Sequence, residues 1–368
     1  MRKFFFSLGL MSGTSGDGVD ASIIQSDGDT EYKVILDKYF KYTQNIYNNI
    51  HTLKDEINDS RDLLNLSKKI QLLEKEVTLF HVNVVNQIIK ESKLNIDFIG
   101  FHGQTIFHNA KEKISKQLGD GKLLATLTKK TVIYDFRQND LKNGGHGAPL
   151  TSIFHKLLKK IFKIKNVTFV NIGGIVNITT LLNEDNMTGT DIGPGMCLID
   201  RWVRQKVKKN YDKDGIIAKS GNVNKESLEL LLKNFYKKEN TLTKGPIQSF
   251  DTKYFDFSFV KHLSLEDGAA TLTEFTNQII ISAIKAKNLD KEKVILCGGG
   301  RKNNFLVEKL KEKNIPLKLI DEYGVDGDFV ESQAFAYLAI RSYLKLPISF
   351  PETTGASKPC TGGVIVKN

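Results

Sequence analysis

Cysteine is scarce. Cys197, Cys297 and Cys360 are the only three in 368 residues, they lie far apart, and no C-x-x-C pair occurs. That excludes a disulfide frame and a zinc knuckle and fits reducing, cytoplasmic surroundings. Cys197 and Cys297 adjoin apolar and glycine residues, which predicts small buried hydrophobes. Arginine is scarce as well: the net charge is +11, but only 7 of 53 basic residues are arginine. Arginine is the preferred fork for bases and phosphates, so the excess reads as a lysine-rich solvated surface, not a nucleic-acid face. No apolar run is long enough to span a bilayer, so no membrane partner is expected. The seven histidines show no zinc spacing. There is no G-x-S-x-G elbow and no G-x-x-x-x-G-K-[ST] phosphate loop. A serine hydrolase, a zinc hydrolase and a P-loop enzyme therefore have no support.

What is present begins at the first residues. The opening MRKFFFSLGLM has two basic residues ahead of an apolar run, as a secretion signal does. The run is only about eight residues, low in the usual range, and no A-x-A-like cleavage site follows. A buried first strand over 3–10 is expected instead. Residues 19–26 and the alternating 32–41 predict two more strands, hence an antiparallel meander. Residues 44–93 carry apolar positions every three or four residues and predict helix. Strand character returns over 96–106, running into a polar turn, and over 131–136. A helix is expected over 147–162, with Pro149 near its first turn. The stretch 166–182 then repeats strand, Gly-Gly turn, strand. Helices are predicted over 272–289 and 330–344, with a strand, a triple glycine and a helix over 293–313. A chain this long exceeds one core of ordinary size and predicts two lobes.

Three glycine turns stand out. The first, SGTSGDGVD, comprises Gly13, Thr14, Ser15, Gly16, Asp17, Gly18, Val19 and Asp20. Gly16, Gly18 and Ala21 nearly match the dinucleotide fingerprint, but that motif must open a helix and here a strand follows. Two readings stay open, a plain Asp-Gly hairpin or an anion cradle of backbone N–H groups. An aspartate beside such a cradle makes sense if a divalent cation lies between it and the phosphates, which makes Asp17 the magnesium candidate, through water. The second turn holds Gly173 and Gly174. The third, Gly298, Gly299 and Gly300, follows a buried strand and suits close approach of a purine or ribose. Two phosphate hairpins plus an adenosine turn resemble the layout of actin/hexokinase-type sugar kinases.

A sharper likeness rests on longer strings: GLMSGTSGDGVDAS, GFHGQTIFH, DFRQNDLKNGGHGAPL, VNIGGIVNIT, GTDIGPGMCLID, DEYGVDGDFVESQAFAYLA and TTGAS. In that order, from residue 8 to about 363, the chain resembles the anhydro-N-acetylmuramic acid kinases. The resemblance implies an α/β, two-lobed, ribonuclease H-like ATPase fold with a central cleft. One lobe is expected over 1–145 plus 331–368, the other over 146–330. It also implies ATP and magnesium as cofactors, an anhydro amino sugar as substrate, and a homodimer. Two positions depart from the family pattern. Gly16 stands where leucine is usual, which should loosen the first turn, and His146 stands where glutamine is commoner.

The implied reaction opens the 1,6-anhydro bridge with water and passes the γ-phosphoryl of ATP to the freed six-oxygen. It needs a general base. By residues alone, Asp191 in TDIGPG is either a helix cap or a catalytic carboxylate; the resemblance makes it the base. His102, Gln104 and Thr105 are sugar contacts or a solvated turn. Arg137 is a fork for the lactyl carboxylate or one half of a structural ion pair. Glu331 lies near the sugar or simply favours a helix start. His108 and Asp120 are weaker candidates, the latter also readable as a turn aspartate. The rival functions are a kinase for another sugar, which would need no water, and an actin-like or chaperone-type ATPase.

Overall fold

Two strands buried almost throughout and a half-exposed third produce the expected meander. Strands β1 (Phe5–Ser12), β2 (Gly18–Ser26) and β3 (Tyr32–Lys41) pair antiparallel in sequence order. The computed structural model describes residues 3–184, 186–207, 209–242, 247–286 and 292–367. After β3 the helical region is not one helix but three pieces, Gln44–Glu56, Asp62–Asn65 and Ser67–Ser92. The break has a local cause: the Asp62 carboxylate turns back to accept the N–H groups of Asn58 and Asp59. These helices form the long crossover that a parallel strand requires. β4 (Phe98–Asn109) then joins β1 in parallel, β5 (Ile114–Leu118) folds back on β4, and β6 (Thr131–Tyr134) adds in parallel beyond it. The strand Val364–Val366 closes that edge.

Contacts divide the chain into two compact units. The first is Met1–Lys163 with Asp328–Asn368, and the second is Ile164–Gly327. The second junction falls close to the one read from the sequence, about 330/331, and the first lies beyond 145/146, past helix Ser152–Ile161. Helix Ser152–Ile161 goes with the first unit because Phe154, fully buried, meets Tyr32 edge-on and Tyr337 at a tilt, with ring centroids 5.2 and 5.7 Å apart. Pro149 precedes this helix rather than opening it.

In the first unit Leu8, Leu10, Val19 and Ile23 pack under Ile46, Ile50, Leu53, Val77 and Val84 of the crossover helices. The opposite face carries helix Val330–Tyr343, seated directly on the strands. A Cβ on Gly9 would lie 1.9 Å from the Ser332 carbonyl oxygen, and one on Gly100 2.3 Å from that of Phe335. Only glycine permits so close an approach.

The second unit repeats the plan. β7 (Val167–Ile172), β8 (Ile175–Leu182) and β9 (Asn186–Pro194) form the meander. β10 (Lys293–Cys297) and β11 (Leu317–Leu319) add in parallel on the far side of β7. The order β9-β8-β7-β10-β11 matches β3-β2-β1-β4-β6 of the first sheet. The α/β class is as expected, and the repetition is one ribonuclease H-like strand order built twice. Val170, Ile172, Val176 and Ile178 pack on Ile280, Ile281 and Ile284 of helix Leu265–Ala286. The expected end of that helix, 287–289, lies outside the described residues. All three cysteines are buried and free. Among the described residues no helix is long and apolar enough to cross a membrane.

Candidate active site

The first glycine turn closes through a hydrogen bond from Gly16 N–H to the Gly13 carbonyl, 3.1 Å. Thr14 and Ser15 at its tip are exposed, and Asp17 is half-buried. The Ser15 hydroxyl bonds the Asp17 carboxylate. The carbonyls of the turn are tied back to the protein. Gln104 donates to Gly13 O at 3.0 Å, Lys54 to Thr14 O at 2.9 Å and His51 to Ser15 O at 2.9 Å. Behind it the Ser12 hydroxyl donates to Gln104 Oε1, 2.7 Å, and accepts from Tyr42, 3.1 Å. Gly16 has φ +60°, the left-handed region. Val19 is fully buried in the core, so its side chain faces no ligand, and Asp20 lies half-buried on β2 opposite Met11. Gln104 is fully buried and belongs to this turn, not to a solvated one.

The second turn is held in the same manner. The carbonyls of Gly173 and Gly174 accept the N–H groups of Met196, Gly195 and Cys197, just ahead of helix Cys197–Lys206. In the third, Gly298 has φ +80°, and a Cβ there would meet the Asn171 carbonyl oxygen of the side chain at 2.4 Å. Gly299 is open, with nothing within 4 Å of its Cβ position. The neighbouring Arg301 is buried and forks onto Asp321 at 2.7 and 2.9 Å. That fork holds the Asp321 carboxyl below the usual carboxylate range.

Asp191 is not a turn cap. It lies within β9, 6% exposed, and the position ahead of helix Cys197–Lys206 is Met196. One carboxylate oxygen accepts the Phe250 N–H at 2.9 Å, and the Asp191 N–H donates to Gln248 O at 3.0 Å. Asn171, Asn177 and Asp191 stand opposite one another across β7, β8 and β9. The residues flanking the first two, Val170, Ile172, Val176 and Ile178, point into the core, so this polar row occupies the other face. A bulge between Val176 and Asn177 marks the row.

His102 and Arg137 come together in the first unit. β4 runs on to Asn109, where the sequence suggested a turn. It bulges at His102: Leu10 pairs with Phe101 and Met11 with Gly103. Such a bulge re-aims a side chain. Arg137 donates from Nη2 to His102 Nε2 at 2.9 Å and from Nη1 to the Gly147 carbonyl at 2.7 Å. His102 Nδ1–H donates to Gly103 O at 2.7 Å, so the ring is neutral with a fixed tautomer. Burial and the Arg137 charge hold its pKa down at about 3. His108 is likewise pushed down to about 3 by burial, Arg137 and His146, and its Nδ1 meets the Ser115 hydroxyl at 3.0 Å. The GGHGAP loop is anchored by buried Asp140, which accepts Gly147 N–H at 2.7 Å and the Thr354 hydroxyl at 2.6 Å. Burial lowers the pKa of His146.

The Thr105 hydroxyl accepts from Gln117 at 3.3 Å. Glu331 is half-buried in the first turn of helix Val330–Tyr343. Asp120 is the cap of helix Gly121–Thr128, accepting the N–H groups of Lys122 and Leu123 at 2.9 and 3.0 Å. Sequence reading missed Ser12, Asn171, Asn177, Asp140 and Arg301; only the cross-strand register and burial single them out. Among the described residues no three His, Cys, Asp or Glu side chains gather as metal ligands.

The match to known proteins extends over the whole chain. A family model described as anhydro-N-acetylmuramic acid kinase matches residues 5–368. A relative of that name from Pelagibacter ubique (strain HTCC1062) is 53% identical, with 100% of both chains covered. One from Zymomonas mobilis subsp. mobilis (strain ATCC 31821 / ZM4 / CP4) is 35% identical over 98% of this chain and 99% of its own. Another from Methylobacterium nodulans (strain LMG 21967 / CNCM I-2342 / ORS 2060) is 34% identical over 98% and 99%. With a duplicated strand order of the sugar-kinase type and full-length relatives of one name, this chain belongs to the anhydro-N-acetylmuramic acid kinase family.

Proposed function

We propose that this chain converts 1,6-anhydro-N-acetylmuramic acid, ATP and water to N-acetylmuramate 6-phosphate and ADP, a cytoplasmic step of peptidoglycan recycling. Asp191 is the general base. The observation that carries this role is a carboxylate 6% exposed, fixed on a strand by the Phe250 N–H. A base held this way needs no reorientation before it acts. It takes a proton from water, whose oxygen bonds to the anomeric carbon as the bond to the six-oxygen breaks. The freed oxygen attacks the γ-phosphorus and ADP leaves.

The two glycine turns that begin each meander are the phosphate grips, and Gly298 to Gly300 form the adenosine turn. Asp17 would hold magnesium through water; one half-buried carboxylate beside a backbone cradle suits an ion that keeps most of its waters and binds substrate phosphates. Bound there, magnesium offsets charge on the phosphate oxygens. Arg137, kept in place by His102 and Gly147, lies on the sugar side with His102, Thr105 and Glu331. A homodimer is part of this reading, on the resemblance alone, and sedimentation tests it.

The decisive experiment is incubation with ATP, magnesium and the anhydro sugar in ¹⁸O-water, followed by mass analysis. The reading requires a gain of one water and one phosphoryl group, with the label at the anomeric carbon. Phosphorylation without label would mean an ordinary sugar kinase; ATP turnover without sugar phosphate would mean another ATPase. Asp191→Asn should bind both substrates and lose turnover by about 10²–10⁴-fold. Full activity in that variant removes Asp191 from the role.

A further inference from the structure

We propose that Lys54 and His51 are positioning residues for the nucleotide's phosphates, acting through the first glycine turn; this rests on reading that turn as a phosphate cradle. The C=O and N–H of one trans peptide point in opposite directions. Gln104 holds the Gly13 carbonyl and so turns the Thr14 N–H away from the protein. Lys54 holds the Thr14 carbonyl and does the same for the Ser15 N–H. His51 holds the Ser15 carbonyl, whose own N–H, on Gly16, closes the turn on Gly13 O. The Thr14 and Ser15 N–H groups have no partner among the described residues, and both residues are exposed. Two adjacent N–H groups facing outward make a seat for an anion.

Two of the three holding side chains, His51 and Lys54, come from one face of helix Gln44–Glu56, and Gln104 comes from β4. Tyr47, His51 and Lys54 are spaced four and three apart, and the Tyr47 ring lies 4.3 Å from that of His51. Ile46, Ile50 and Leu53 bury the other face and fix the helix. His51 Nε2 must carry the proton, because a carbonyl only accepts. Gly16 is what admits the helix this closely: its Cβ position lies 3.1 Å from Ile50 Cγ2 and 3.7 Å from His51 Nε2.

The test uses the full chain with ATP, magnesium and anhydro sugar. KM for each substrate, kcat, and the affinity for adenosine are measured in Lys54→Met, Lys54→Arg, His51→Ala and Thr14→Pro. Proline suits the second position of this turn and deletes one cradle N–H. Lys54→Met and His51→Ala should each raise the ATP KM about tenfold, the size of one lost hydrogen bond. Sugar KM and adenosine affinity should stay unchanged, and Lys54→Arg should stay within about twofold of the parent, since a donor remains. If Thr14→Pro raises the ATP KM while Lys54→Met and His51→Ala do not, the cradle stands and the positioning role fails. If Thr14→Pro is silent in an active enzyme, the cradle reading itself fails. A loss confined to Lys54→Met, with His51→Ala silent, assigns Lys54 to the phosphate directly and overturns the positioning role. Equal losses for both substrates with a lowered Tm reduce the pair to structural supports and overturn it too.

Discussion

Gly16 carries the conflict between pattern and geometry. By the family pattern a leucine there should tighten the turn. In the structure the residue has φ +60° and Ile50 crowds its Cβ position at 3.1 Å. A left-handed side chain costs roughly 1–2 kcal/mol. Gly16→Leu is therefore expected to lower Tm by a few degrees and to raise, not lower, the ATP KM. A variant that is both stable and tighter for ATP would show that the turn takes another conformation with leucine. At this scale the sequence revealed residue types better than their surroundings. Gln104 reads as one more polar residue after a strand, yet its amide serves Gly13, 91 positions earlier. By residues alone Asp191 reads as a cap or a catalytic carboxylate, because Gly-Pro-Gly follows one residue on; only the pairing of β9 with β8 shows it to be a strand residue.

The elements were legible wherever the pattern is local. Both meanders and all three glycine turns follow from alternation and from glycine. The break after Glu56 does not; it falls on the polar run 58–62, where Asp62 ends the hydrogen-bond ladder from the side. Two predictions belong here. Asp120→Ala should lose the cap of helix Gly121–Thr128, costing about 1 kcal/mol, with kcat/KM for the sugar retained. A large loss of kcat/KM at unchanged stability would return Asp120 to the site. Arg301→Lys should replace a two-pronged contact with Asp321 by a single one, beside the third glycine turn. Because Arg301 is buried, the cost should be about 1.5–3 kcal/mol in urea unfolding. An unmoved midpoint would mean the fork contributes nothing to stability.

At the scale of the molecule, three histidines are buried and His108 is half-buried, and all four are held neutral. Burial lowers His81 to about 4 and His102, His108 and His155 to about 3, from 6.5. Between those values the unfolded chain binds protons that the folded chain does not. Stability is thus full above about pH 6.5 and falls as pH drops toward 4. Each such imidazole contributes a slope of up to about 1.4 kcal/mol per pH unit. Asp27 acts lower: its carboxyl, held at about 2 by backbone N–H groups against the cost of burial, gives stability above 3.8 that is lost only as pH falls toward 2. Urea midpoints should hold from pH 7.5 to about 6.5 and decline from there to pH 4.5, and a flat profile throughout would contradict neutral burial of these rings.

The sequence alone determined the α/β class, the two meanders, the glycine turns and the family, because alternation, turn chemistry and motif order are properties of neighbouring residues. Tertiary structure alone decided where the units divide, which carboxylate is a cap and which lies buried on a strand, and which side chains hold the first turn. Phe154 joins the first unit through Tyr32 and Tyr337, Asp191 meets Phe250, and Lys54 and His51 reach Thr14 and Ser15. The period of a helix or strand records which side faces the core. The direction of a polar group is set by partners that only the folded chain brings within hydrogen-bond distance.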